Sequence, residues 1–147
     1  MLEEDELYNT YYFLLNRTAR RVKQFAQKQF KEMDFGVTVD QWAVLKAVDE
    51  HEAISQKELA RLTFKDTPTL TRIVGLLEGY GLLERDIDAS DRRRFCVWLT
   101  KEGKEKVEDL KPQVAHIRRQ AWKNLTPQDF EHFKHVLDTI YQNLGED

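Results

Sequence analysis

Residues 86–95, DIDASDRRRF, set Arg92, Arg93 and Arg94 side by side in a chain of formal net charge −3. Adjacent guanidinium groups repel, so such a run faces either a polyanion or open solvent. Asp88 and Asp91 stand within the same ten residues. A carboxylate can hold one guanidinium by a bidentate pair. The oriented arginine then suits a narrow A·T-rich minor groove, where negative potential is concentrated, and its neighbours suit phosphates. The blander alternative is a solvated loop in which arginines and aspartates pair only with each other.

Other chemistry is thin. The histidines are His51, His116, His132 and His135. Only His132 and His135 fall at i, i+3, which offers two zinc ligands. No cysteine or HExxH pattern joins them, so they read as an exposed helical face and no metal site is expected. There is no G-x-S-x-G, no P-loop and no glycine-rich nucleotide turn. Glu3, Glu4 and Asp5 sit where the chain is expected to fray. No catalytic constellation emerges, and the chain does not read as an enzyme. The single cysteine, Cys96, has no internal disulfide partner. It falls on a strand beside the arginines, which tend to lower a thiol pKa, and reads as a half-buried strand residue.

At 147 residues, the chain has the length of one domain. Apolar residues make up 41% and charged ones 33%, an ordinary balance for a soluble helical protein. No run reaches the length of a membrane span. The acidic start, MLEEDELYNTYY, lacks the basic and apolar regions of a signal peptide. These features point to a cytoplasmic protein.

The elements that must position the arginines follow from periodicity. Tyr8, Tyr12, Leu15, Ala19, Val22, Ala26, Phe30 and Met33 step by three and four, a helical stripe, with Gly36 as its stop. A second apolar line (Leu7, Tyr11, Leu14, Phe25) runs beside it. A helix of about 38 Å with so wide an apolar face calls for a partner chain. Thr38 and Gln41 fit a capping box ahead of Trp42, Leu45 and Val48. Ser55 and Glu58 fit another, ahead of Leu59, Ala60 and Leu62. After a break at Thr63-Phe64-Lys65, Asp66 caps a third short helix that tolerates Pro68 in its first turn. Leu70, Ile73, Val74 and Leu77 are its buried stripe, and Gly81 ends it. Two short helices joined by a tight turn make a helix-turn-helix.

Beyond Gly81 the period becomes two. Leu83, Arg85 and Ile87 share one strand face, and Phe95, Val97 and Leu99 share another, with Asp88 to Arg94 as the hairpin loop. A β-hairpin after a helix-turn-helix is a winged helix, so the arginine run lies at the tip of the wing. Thr100 then caps a helix carrying Val107, Leu110, Val114, Ile117 and Ala121, which Pro112 should kink or split. Thr126-Pro127-Gln128-Asp129 starts the last helix, with the stripe Phe130, Phe133, Val136, Leu137, Ile140 and Tyr141. The expected architecture is therefore mainly α with a small β-hairpin wing, a winged helix-turn-helix core flanked by N- and C-terminal helices.

The third short helix turns Pro68, Thr71, Arg72, Gly75 and Gly79 away from its buried stripe. That narrow face suits a major groove, which admits one helix, read mainly through the helix's N-terminal turns. Arg72 is the base-reading candidate, because guanidinium pairs bidentately with guanine O6 and N7. Pro68 and Thr71 face the groove with it. Lys65, Thr67, Thr69, Ser55 and Gln56 suit backbone phosphates, which position without reading sequence. Asp91, Arg92, Arg93 and Arg94 form the wing contact. Between Ser55 and Phe95 eight basic residues face seven acidic ones, a net of +1, so any basic surface arises by placement. The other class open to such a fold is a dimeric winged-helix module that binds protein rather than DNA.

Residues 55–106 closely resemble the DNA-binding core of the MarR family of bacterial transcription regulators. The resemblance rests on T-x-T-R (Thr69 to Arg72), L-E-x-x-G-L-x-x-R (Leu77 to Arg85) and D-x-x-D-x-R…V-x-L-T-x-x-G (Asp88 to Gly103). GVTVDQWAVLKAV (Gly36 to Val48) resembles the segment before. The resemblance implies a homodimer on a palindromic operator of double-stranded DNA, acting as a repressor relieved by a small ligand. Residues 36–104 would then be the DNA-binding region, and 1–35 and 105–147 the dimerisation helices, all within a single domain 1–147. It also implies that Asp91 and Arg93 support minor-groove insertion. Arg94, Trp98 and the opening Lys65-Asp66-Thr67-Pro68 depart from the commoner family pattern and bear on operator sequence. A cleft between dimerisation helices and winged helix is implied too, for a small aromatic or phenolic effector. Tyr8, Tyr11, Tyr12, Phe13 and Trp42 have the chemistry to line it. At helical spacing they equally suit a core, and core is the reading taken, so no effector residue is assigned.

Overall fold

The computed structural model describes residues 3–145. Met1, Leu2, Glu146 and Asp147, the ends of the two expected flanking regions, lie outside the described residues. The order of elements is α1 (Glu4–Glu32), α2 (Val39–Asp49), β1 (Ile54–Ser55), α3 (Gln56–Leu62), α4 (Thr67–Gly79), β2 (Leu83–Ile87), β3 (Phe95–Leu99), α5 (Lys101–Gln120) and α6 (Pro127–Asn143).

The acidic start expected to fray is helical instead. Glu4, Asp5 and Glu6 occupy the first turn of α1, where negative charge complements the positive end of the helix dipole. The helix closes before Gly36. Asp34 takes a left-handed φ of 55°, and the Phe35 amide reaches back to the Phe30 carbonyl at 3.0 Å. The Phe30 and Phe35 rings then pack 4.8 Å apart, an apolar clasp across the helix end.

Three caps form as expected and one differs. Thr38 and Gln41 make the reciprocal box at the start of α2, at 3.1 and 2.9 Å. Asp66 accepts from the Thr69 amide at 2.8 Å and opens α4. Thr100 accepts from the Gly103 amide at 3.0 Å and opens α5. Ser55 likewise accepts from the Glu58 amide at 3.1 Å, but its box stays half-made. The Glu58 carboxylate turns to the Arg61 guanidinium, one turn along α3. A charged, two-pronged donor outcompetes a neutral backbone N–H.

The sheet has three strands in the order β1-β3-β2, all antiparallel. β1 is absent from the sequence reading because two residues carry no period. It places Ile54 opposite Val97. The hairpin register pairs Leu83 with Leu99, Arg85 with Val97 and Ile87 with Phe95. Burial falls along it. Leu83, Val97 and Leu99 are in the core, whereas Ile87 and Phe95 are about half exposed, at 52% and 45%. The hairpin is rooted in the core at one end and projects into solvent at the other.

The core draws Leu45 and Val48 from α2, Leu59 from α3, Leu70, Val74 and Leu77 from α4, and Val107, Leu110 and Ile117 from α5. Trp42 is buried among them. Pro112 does not split α5, which runs unbroken from Lys101 to Gln120. Leu110, Val114 and Ile117 stay buried on either side of the exposed proline, and that burial outweighs one missing backbone hydrogen bond.

α1 and α6 stand apart in character. α1 leaves Leu7, Tyr8, Tyr11, Tyr12 and Phe13 exposed, and α6 buries none of its described residues. α6 opens on a Thr126–Asp129 capping box, and Trp122 meets Phe130 and Phe133 at ring distances of 5.1 and 5.9 Å. No described helix is long and apolar enough to cross a membrane.

Two helical glycines make opposite predictions. A Cβ on Gly103 would lie 2.0 Å from the Leu82 carbonyl oxygen, whereas one on Gly75 would meet nothing within 4 Å. Gly103→Ala should lower the unfolding free energy by about 1–3 kcal/mol or more. Gly75→Ala should raise it by up to about 1 kcal/mol through helix propensity. Urea denaturation of the two variants checks both signs.

Candidate nucleic-acid interface

α4 is amphipathic by construction. Leu70, Ile73, Val74 and Leu77 are buried, and Pro68, Thr71, Arg72 and Gly79 are exposed, with Gly75 half-buried between them. Thr67 is exposed and Thr69 half-buried at the helix start. Bonds from the Thr69 amide and hydroxyl hold the Asp66 carboxylate below the usual carboxylate range, so the cap stays ionised. Arg72 is exposed on the outward face, its charge helping to keep the nearby Asp66 carboxylate ionised.

The backbone candidates divide. Ser55 caps α3 while pairing with Cys96 across the sheet. The Gln56 amide nitrogen donates to the Thr71 hydroxyl at 3.4 Å, and its carbonyl oxygen is buried without a partner. Gln56 therefore stands against Thr71, on the outward face of α4. Lys65 departs further from the sequence reading. Its side chain is only 14% exposed, and its ammonium lies 2.8 Å from Asp40 Oδ1. That charge is already engaged inside the protein.

The wing is organised by its two aspartates. Asp91 Oδ1 accepts from the Arg93 backbone N–H at 3.0 Å and from Nε at 3.1 Å, while Oδ2 accepts from the guanidinium at 3.2 Å. This bidentate grip fixes the Arg93 side chain, which remains 89% exposed. Arg94 lies 3.4 Å from Asp88 Oδ2 and 3.6 Å from Asp91 Oδ2. Arg92 is exposed and has no ion pair among the described residues.

Asp88 is the hinge of the loop. Its Oδ1 accepts from the Ser90 hydroxyl at 2.7 Å and amide at 2.8 Å, and its Oδ2 from the Cys96 thiol at 3.3 Å. Its amide donates to the Arg94 carbonyl at 2.8 Å. The bonds from Ser90, then that from Cys96, pull its pKa down to about 2. Cys96 is a half-buried residue of β3, as its place in the sequence suggested. Burial, then the adjacent Asp88 carboxylate, raises the thiol pKa and outweighs Arg94. The thiol is a donor holding the loop.

The wing is also braced against α4. Arg85 Nε lies 3.6 Å from Glu78 Oε1 while its guanidinium carbon sits 5.6 Å from the centre of the Phe95 ring. Glu78 and Arg85 belong to the L-E-x-x-G-L-x-x-R run, which thus records a salt bridge from the end of α4 to the wing. Trp98, one of the departures from the family pattern, donates its indole N–H to Glu84 directly across the hairpin at 3.0 Å.

An amphipathic α4 and a core-rooted wing define a winged helix-turn-helix protein. A sequence model of the MarR family matches residues 35–94. The transcriptional regulator HosA of Escherichia coli is 30% identical over 95 residues, 63% of this chain and 70% of its own length. The organic hydroperoxide resistance transcriptional regulator of Bacillus subtilis is 27% identical over 146 residues, 96% of this chain and 93% of its own. Among solved structures a neighbour is BpsR of Bordetella bronchiseptica, described by regulation of its DNA binding by 6-hydroxynicotinic acid. It is 25% identical with a TM-score of 0.80, covering 88% of this chain and 91% of its own. The chain belongs to the MarR family of transcriptional regulators.

The wing carries a pH prediction. The Asp88 carboxylate titrates at about 2 in the folded chain against an ordinary 3.8. Its contribution to wing stability is therefore complete above the ordinary value and lost as pH falls through the folded one. Nuclear magnetic resonance titration should place the midpoint of the Ser90 amide shift near 2. In Asp88→Asn that inflection should vanish, and amide exchange at Ser90 and Arg94 should quicken at neutral pH.

Proposed function

We propose that this protein is a sequence-specific, ligand-responsive repressor that acts in the cytoplasm as a homodimer on a palindromic operator. Residues 36–104 bind the DNA, and 1–35 and 105–147 hold the dimer. Arg93 carries the reading: its guanidinium is locked by Asp91 yet remains exposed at the tip of a projecting hairpin. A side chain oriented by its own loop is preorganised for a narrow groove. Arg92 and Arg94 meet the flanking phosphates. Pro68, Thr71 and Arg72 face the major groove, with Thr67, Thr69, Ser55 and Gln56 at its edge.

The apolar faces of α1 and α6 support the dimer. Leu7, Tyr8, Phe13, Phe130 and Phe133 are between 43% and 62% exposed, and large apolar side chains left to solvent along two helices suit an interface. A small aromatic or phenolic effector accords with BpsR, whose DNA binding is regulated by 6-hydroxynicotinic acid.

Fluorescence anisotropy on the duplex from the protein's own upstream region, beside a scrambled duplex and over a salt series, tests the reading. Tight binding to one duplex with a slope of several counterions is expected. Equal weak binding, followed by random-duplex selection that enriches no sequence, would overturn it in favour of a protein-binding module. Arg72→Ala should relax preference at one or two base pairs by about 1–3 kcal/mol each. Arg93→Ala should weaken binding and lower the salt slope by about one. Sedimentation at micromolar concentration should show a dimer, and a monomer would refute the assignment of α1 and α6.

A further inference from the structure

Lys23, on α1, places its ammonium 3.1 Å from Asp40 Oδ2. Lys65, in the turn before α4, places its own 2.8 Å from Asp40 Oδ1. One carboxylate in the first turn of α2 thus joins the long helix to the entrance of the recognition helix. We propose that Asp40 is a positioning residue for DNA recognition: through Lys23 and Lys65 it sets where α4 starts relative to α1. This rests on the DNA-binding reading above.

The surroundings make the bridge directional. The Lys65 side chain is 14% exposed against 57% for Lys23, so the buried end depends on Asp40 most. Asp40 is the one carboxylate within ion-pair distance of that ammonium among the described residues. Burial opposes ionisation of Asp40, but hydrogen bonds from Lys65 and then Lys23 outweigh it and hold the carboxyl below its ordinary range. The Lys65 backbone is pinned as well, its amide donating to the Ala60 carbonyl at 3.0 Å. The preceding Phe64 is left-handed at φ 53°. The next residue, Asp66, is the α4 cap. A displacement of Lys65 therefore reaches the first turn of α4 directly, and the end of α3 through Ala60. On the α1 side Gln27 reinforces the contact by accepting from the Val39 amide at 3.1 Å. α1 is thus tied to the start of α2 by Lys23 and Gln27, and through Asp40 to the turn before α4.

The test uses the full-length chain, with K23M at the exposed end, D40N at the centre and D40E as the conservative rescue. Amide exchange at Thr69 and Leu70 is followed in the free protein. Affinity is measured for a duplex selected from a random pool by the wild-type chain, and for a scrambled one. D40N should speed exchange and raise the Kd for the selected duplex about tenfold, within the ordinary range of coupling between linked sites. Binding to the scrambled duplex should stay nearly unchanged. K23M should do the same by about two- to fivefold, the scale of an exposed pair. Adding K23M to D40N should change nothing further, and D40E should restore both readouts. A D40N chain that melts lower but keeps its preference for the selected duplex would overturn the proposal. So would a silent K23M, or effects of K23M and D40N that simply multiply. If the wild-type chain prefers no duplex while K23M still speeds exchange at Thr69 and Leu70, the DNA-binding reading falls and the joint stands.

Discussion

Thr100 is the knot that holds the winged helix of this chain together. Its hydroxyl donates to the Gly81 carbonyl at 2.6 Å and accepts from the Gly103 amide at 3.0 Å, while its own amide donates to the Leu82 carbonyl at 3.1 Å. Those bonds join the exit of α4, the root of both wing strands and the entrance of α5 at one residue. Gly103 must lack a Cβ for the helix to come so near Leu82. The angle at which the wing leaves the core, and hence the placement of Arg93 relative to α4, is set here.

Around that knot the charges are arranged so that no acid in the wing stands idle. Asp91 orients Arg93, Asp88 shapes the loop and restrains Arg94, and Glu78 braces Arg85. The near balance of acids and bases between Ser55 and Phe95 thus does not dilute a basic surface. The acids lie behind or beside the guanidinium groups and decide which of them are free. Local geometry, rather than net charge, makes the electrostatic footprint.

Much of this was legible in the sequence because it is local. The α4 stripe, the hairpin register and the Thr38, Asp66, Thr100 and Thr126 caps follow from period and from residues three apart. Asp91 and Arg93 are two apart, and their pair formed as their types suggest. The misses share the opposite property. The Lys65–Asp40 pair went unread because its members lie 25 residues apart. β1 was too short to show a period and forms because β3 offers Val97 and Cys96 as partners to Ile54 and Ser55. The Cys96 thiol moved against the arginine argument because Asp88, folded back by the hairpin, is nearer than any guanidinium effect. Pro112 should have interrupted a helix and did not, since the stripe around it is buried. In each case tertiary contact overrode a sound local rule.

The two faces of α4 have different masters. Leu70, Ile73, Val74 and Leu77 answer to the core, whereas Pro68, Thr71, Arg72 and Gly79 touch none of it. Exchanges on the outer face are therefore nearly neutral for folding, even where they would redirect what the helix binds. A lineage carrying this scaffold can wander among target sequences by single substitutions without crossing a stability threshold. The inner face and the Thr100 knot carry the fold, so stability and the outward chemistry of α4 rest on different residues.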